Sequence, residues 1–136
     1  MAISDAEMKT IITDPNGMEL LVAKAKELGE GLFHNQMTTA QIRALFGEVR
    51  QIEAEWGNED EKKKREAYRR LVLLKPKLAY RARKERGQAV KMLTDVLDKG
   101  LDVIIKGDIS KRDESFRQFV EFFEAILAYH QAAGGK

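Results

Sequence analysis

Apolar residues recur at helical spacing along five stretches of the chain, which marks it as all-helical. Met18, Leu21, Val22, Ala25, Leu28 and Leu32 follow the turn signal DPNG at 14–17 and define the core face of a first helix. A second opens at Thr38, where TTAQ supplies a hydroxyl N-cap and Gln41 three residues on completes a capping box. Its buried stripe is Ile42, Leu45, Phe46, Val49, Ile52 and Trp56. Residues 57–64, GNEDEKKK, lack apolar periodicity and are expected to form a mobile, charged connection. From about Glu61 to Lys75 a third stretch keeps Tyr68, Leu71, Val72 and Leu74 for burial.

Pro76 then interrupts the pattern. It biases Lys75 away from helical geometry, so a kink or break is expected there, with the helix resuming from Pro76 as a first-turn residue. Gly87 is a second expected end or kink, and Arg86 falls on the apolar side as a snorkelling or paired structural residue. Val90, Leu93, Leu97, Leu101 and Ile104 continue the core to a stop at Gly107. The last helix is expected from Ser110, with Asp113 and Glu114 in its first turn, and carries Phe116, Phe119, Val120, Phe123, Ile126, Leu127 and His130 on its core face. Phe122 and Tyr129 lie off that face and are expected to meet a neighbouring subunit. The reading is all-α: one compact bundle of about five helices over residues 1–136, frayed or flexible at 1–16 and 131–136.

Charge adds what periodicity does not show. The chain carries a formal +2, yet the window Lys62–Lys91 holds thirteen Lys and Arg against two acids, Glu66 and Glu85, so the remainder is strongly acidic. A basic block on an acidic protein points to a polyanion, most often nucleic acid. On a helical wheel drawn from residue 77, Lys77, Tyr80, Arg81, Lys84, Gln88 and Lys91 share one side, opposite Leu78, Ala82, Ala89, Leu93 and Val96, and Arg83 flanks the cations. On the second helix Arg43 and Arg50 share a face with Gly47 between them.

Chemistry-bearing residues are few. There is no cysteine, which excludes disulfides and thiolate metal sites and fits a reducing cytoplasm. His34 and His130 stand at no ligand spacing, and His130 has no arginine at the spacing of a helical metal-independent ribonuclease motif. Glu59, Asp60 and Glu61 beside KKKR form a solvated charge run, and no apolar run reaches the ~20 residues of a membrane span. No enzyme, cofactor, metal or membrane is expected, and the protein is expected to be soluble and cytoplasmic.

The strings MELLVAKAKELGEGL at 18–32, TTAQIRALFGEVRQIE at 38–53 and LVLLKPKLAYRARKE at 71–85 resemble the small subunit of type III-A CRISPR effector complexes, the Csm complexes. The resemblance runs from about Met18 to Tyr129 and is most specific in LKPKLAY at 74–80. It implies a five-helix bundle in several copies, packed along the backbone subunits that grip the guide RNA and contacting guide and target RNA, with cleavage left to other subunits. Lys75, Lys77 and Tyr80 match the motif directly, while many relatives carry small residues where this chain has Arg81 and Arg83. The candidate RNA-binding set is Arg43, Arg50, Arg69, Lys75, Lys77, Tyr80, Arg81, Arg83, Lys84 and Lys91. A free-standing helical RNA- or DNA-binding protein and a protein-interaction bundle with an acidic partner are the other readings.

Overall fold

The computed structural model describes residues 3–57 and 59–135. Met1, Ala2, Asn58 and Lys136, which fall in the expected frayed ends and mobile connection, lie outside the described residues. The described chain forms six α-helices, α1 Asp5–Thr13, α2 Met18–His34, α3 Thr39–Trp56, α4 Glu61–Lys84, α5 Gln88–Lys106 and α6 Arg112–Ala132, with a 3-10 turn at Ile109–Lys111. The all-helical bundle is as expected, with one helix more.

The extra helix is α1, in the stretch expected to be frayed. Nine residues do not hold a helix alone in water, so α1 exists through its contacts. Ser4 and Glu7 close a capping box at its start, and Met8, Ile11 and Ile12 are buried, each worth about 1.5–3 kcal/mol. At its end the buried Gln118 amide donates to the carbonyls of Ile11 at 2.9 Å and Asp14 at 3.1 Å. A carboxamide from α6 thus serves the Ile11 carbonyl, whose helical donor position is taken by Pro15, and shares the Asp14 carbonyl with the Gly17 N–H.

Thr38 and Gln41 cap α3 as their spacing predicted. Asp60 accepts from the Lys62 N–H at the head of α4, so Lys62, Lys63 and Lys64 of the expected mobile connection are helical. Gly87, at φ 117°, turns the chain from α4 into α5 in a conformation that residues with a Cβ rarely enter. Arg86, expected on the apolar side, is exposed in that bend, because the helix has already ended at Lys84.

α6 is the central helix. It packs most extensively on α2 and also against α1, α3 and α5. Enclosure on several sides buries more than one stripe, and Phe122, expected to meet another subunit, is instead fully inside. The closest approach is at Gly29 of α2, where a Cβ would stand 2.7 Å from Tyr129 Cβ and 2.8 Å from the Ile126 carbonyl oxygen.

α4 lies at the edge of the bundle, with α3 on one flank and α5 on the other. It runs unbroken through Pro76, which corrects the expected break. Leu71 and Leu74 before the proline and Leu78 after it are all buried, so both halves are held to one core. Pro76 itself is exposed, on the side where water can serve the Val72 carbonyl that loses its helical donor.

Candidate nucleic-acid interface

Eleven of the chain's 24 Lys and Arg lie on α4, and the fold sorts them into two groups. Four are tied to acids. Arg70 binds Glu55 and, at 3.0 Å, Gln51 of α3. Arg81 reaches Glu85 at 3.2 Å and Glu48 of α3 at 4.0 Å. Lys75 joins Asp102 and, at 3.0 Å, Asp98 of α5, while Lys64 meets Asp113 of α6 at 3.3 Å. Partial burial disfavours the Lys75 ammonium, but the hydrogen bonds to Asp102 and Asp98 outweigh it and raise its pKa above the ordinary lysine value. Such half-exposed pairs contribute about 0–1 kcal/mol each, so their main effect is to neutralise charge on the flanks of α4.

The other seven, Lys62, Lys63, Arg65, Arg69, Lys77, Arg83 and Lys84, make no ion pair among the described residues, and all are exposed. All but Lys63 cluster by helical geometry. Arg65, Arg69, Leu73, Pro76, Tyr80 and Arg83 recur at i, i+4, i+8, i+11, i+15 and i+18, with Lys77 and Lys84 a step to the side. From Lys62 to Lys84 this outward ridge is about 33 Å long at 1.5 Å per residue. Two large side chains interleave with the cations: Leu73 is 54% and Tyr80 63% exposed. The Lys84 ammonium lies 5.8 Å from the centre of the Tyr80 ring.

Helix stability alone does not account for the ridge. Arg83 and Lys84 sit in the last turn, where positive charge complements the helix dipole by about 0.3–1 kcal/mol. Lys62, Lys63 and Arg65 sit at the opposite end, where the same dipole opposes them. Arg65 and Arg69 are like charges at i, i+4, a further small cost. The fold carries this uncompensated charge while acids are plentiful elsewhere.

The predicted residues divide accordingly. Arg69, Lys77, Tyr80, Arg83 and Lys84 share the ridge; Lys75 points to the α5 flank, and Arg81, though beside Lys77, Tyr80 and Lys84, turns toward α3 and is engaged by Glu85 and Glu48. Arg50 pairs with Glu53 at 3.0 Å and Glu124 of α6 at 3.9 Å, with its guanidinium 5.7 Å from the Phe46 ring centre. The side of α3 that meets α4 is built instead from Gln41, Glu48, Gln51 and Glu55, so Arg50 does not join the ridge. Arg43 is exposed on α3, with no ion pair among the described residues, beside the open face of Gly47. Lys91 belongs to α5, beyond the Gly87 turn, and pairs with Asp95 at 3.6 Å. The wheel drawn through 77–91 therefore merged two helices. Lys62, Lys63, Arg65 and Leu73 escape a sequence reading, although Arg65 and Leu73 stand four residues to either side of Arg69.

Elsewhere the titratable inventory is structural. His130 is completely buried, with Nε2 2.6 Å from the Met37 carbonyl oxygen. Among the described residues no cluster of His, Asp and Glu is placed to hold a metal ion, and no helix is long and apolar enough to cross a membrane.

Fold and surface together define a small all-helical protein whose one edge helix presents a row of uncompensated cations. The Csm2 Type III-A family model matches residues 15–136, and the chain belongs to that family, the small-subunit family of the type III-A Csm complex. It is a non-catalytic family whose partners are other Csm subunits and RNA. α1 lies ahead of the matched region. No curated protein and no solved structure matches the chain.

Proposed function

We propose that this chain is a non-catalytic small subunit of a type III-A CRISPR ribonucleoprotein that lays the outer ridge of α4 along the sugar–phosphate backbone of the guide–target duplex. The observation that carries the reading is the sorting of charge on α4: seven exposed cations without acid partners among the described residues, all but Lys63 along one face, and some of them placed against the helix dipole. Phosphates supply the missing counter-charge, and releasing their condensed counterions favours binding. Tyr80 and Leu73 give the ridge apolar surface for ribose. Contacts of this type position a protein without reading bases, so sequence recognition stays with guide pairing. Several copies, packed side by side along the backbone subunits, extend the ridge into a continuous wall.

The test compares two triple substitutions with equal charge change on one helix. Lys77→Ala, Arg83→Ala and Lys84→Ala removes ridge cations, and Arg70→Ala, Lys75→Ala and Arg81→Ala removes flank cations. In the assembled complex over a salt series, the ridge triple should weaken target-RNA binding and lower the slope of log K against log salt by about 2, since each phosphate left without its cation takes away roughly 0.7–0.9. The flank triple should change the slope much less. Equal changes would refute the ridge as the RNA-facing surface.

A further inference from the structure

At its N-terminal half the ridge borders a pocket between α4 and the start of α6, walled by Trp56, Tyr68, Ile109 and Arg112 and bordered by Arg65 and Arg69. Its walls are unlike the rest of the ridge. Ile109, in the 3-10 turn, is 75% exposed, the most exposed large apolar side chain among the described residues. Tyr68 meets Trp56 edge to face with ring centres 6.2 Å apart, and Trp56 stacks on Phe116 at 4.5 Å, so the aromatic wall is anchored in the core. The Arg112 guanidinium lies 4.2 Å from the Tyr68 ring centre and donates from Nη2 to the Ile105 carbonyl at 3.4 Å, while its buried Nε has no hydrogen-bond partner among the described residues. Of the two acids at the rim, Asp113 is already engaged by the Trp56 indole N–H at 2.8 Å and by Lys64 at 3.3 Å, and Glu61 occupies the first turn of α4. What is left open is an apolar and aromatic wall beside three arginines that have no carboxylate partner among the described residues.

We propose that this pocket takes one unstacked nucleotide of the RNA strand that runs along α4. A nucleotide combines the two chemistries the pocket offers: a planar apolar base for the wall of Tyr68 and Ile109, and phosphates for Arg65 and Arg69. Unstacked bases are commonly received on aromatic rings and guanidinium planes. The assignment rests on the α4 ridge binding RNA, and it adds a preference for an unpaired position that a row of phosphate contacts alone does not give.

Trp56 is the only tryptophan in the sequence, so its emission reports on this pocket in the purified full chain. The probes are an RNA duplex with one bulged adenosine, the same duplex fully paired, and AMP alone. The bulged duplex should bind about tenfold tighter than the paired one, the order of one base stacked on an aromatic wall, and should change Trp56 emission. Ile109→Ser, at an exposed position that leaves the core untouched, should erase that preference while keeping affinity for the paired duplex. Tyr68→Leu, checked for wild-type helicity, should do the same. Equal binding of the two duplexes, abolished in both cases by the Lys77, Arg83 and Lys84 triple, would overturn the pocket and leave the ridge standing. No binding of either duplex at low salt would overturn both. AMP that changes Trp56 emission at a concentration comparable to the bulged duplex would overturn the strand assignment in favour of a free nucleotide.

Discussion

Replacing Pro76 by alanine isolates the cost of an interior proline in α4. The helix is continuous from Glu61 to Lys84, so Pro76 has a full turn of helix on both sides. An interior proline costs about 3 kcal/mol relative to alanine through the missing N–H donor and the crowding of its ring against the carbonyl four residues back, here that of Val72. Part of this is offset because proline also stiffens the unfolded chain, by about 0.4–1 kcal/mol. Pro76 is exposed, so alanine leaves no cavity in the core. The variant should therefore gain about 2 kcal/mol. At roughly 2.1 cal/mol/K per residue, the unfolding entropy of 136 residues is about 0.29 kcal/mol/K, so the gain corresponds to a Tm rise near 7 °C. Urea unfolding followed by far-UV circular dichroism, with thermal melts alongside, measures both quantities. A gain under about 0.5 kcal/mol at unchanged m-value would refute the reasoning, because it would mean the backbone already departs from regular helix at residue 76 and alanine recovers nothing.

Two glycines give opposite expectations for the same substitution. Gly29→Ala drives a methyl into Tyr129 and the α6 backbone and should cost about 1–3 kcal/mol, whereas Gly47→Ala adds a methyl to open space within α3 and should gain about 0.5–1 kcal/mol. A denaturant midpoint that Gly29→Ala leaves unchanged or raises would contradict the close approach of α2 and α6. The Glu7 carboxyl is held below the ordinary carboxylate range, first by the Ser4 backbone N–H at 3.0 Å, against the opposing effect of burial, with Lys24 at 3.4 Å adding to the lowering. A depressed folded pKa means stability that is present above the unfolded carboxylate pKa and lost as pH falls through the folded one. Glu7→Gln keeps a neutral acceptor for the capping box but not the charge, so it should flatten the acid limb of stability against pH by lowering the neutral plateau and leaving the acid side nearly in place. An unchanged acid limb would show that the cap carboxylate is not linked to folding.

How much of this is legible in the sequence depends on whether the signal is local. The Thr38–Gln41 box, the Gly87 turn and the Gly107 stop are local chemistry and appear where their residues stand. The Ser4–Glu7 box is equally local, but the apolar pattern behind it is short, and α1 is held by Gln118 from the far end of the chain. At Pro76 local propensity favours a break, and burial of Leu71, Leu74 and Leu78 on one core overrides it. That difference propagates to the candidate site. Starting the wheel at residue 77 separates Lys77 and Tyr80 from Arg65 and Arg69, their neighbours on the same helix, and joins them to Lys91 on another. The pairing of Lys75 is hidden for a different reason: its partners Asp98 and Asp102 are distant in sequence, and only packing brings them near, whereas Arg81 has a local partner in Glu85 as well as the distant Glu48.

The division between ridge and flank also sets how sharply the two triple substitutions should differ. A ridge cation touching a phosphate at about 4 Å interacts by about 1 kcal/mol even at the dielectric of water. A flank cation stands roughly one helix diameter, about 10 Å, from the same phosphate. There the unscreened interaction is about 0.4 kcal/mol, and a Debye length near 8 Å reduces it to about 0.1 kcal/mol at physiological salt. Removing Arg70, Lys75 and Arg81 also exposes Glu55, Glu48, Asp98 and Asp102, but their repulsion acts over the same distance and is screened alike. The flank triple is therefore not silent; its effect per charge is several-fold below that of the ridge triple, and the gap widens as salt rises. A gap that closed with added salt would mean that both sets act at long range, and no cation on α4 would then be in contact with RNA.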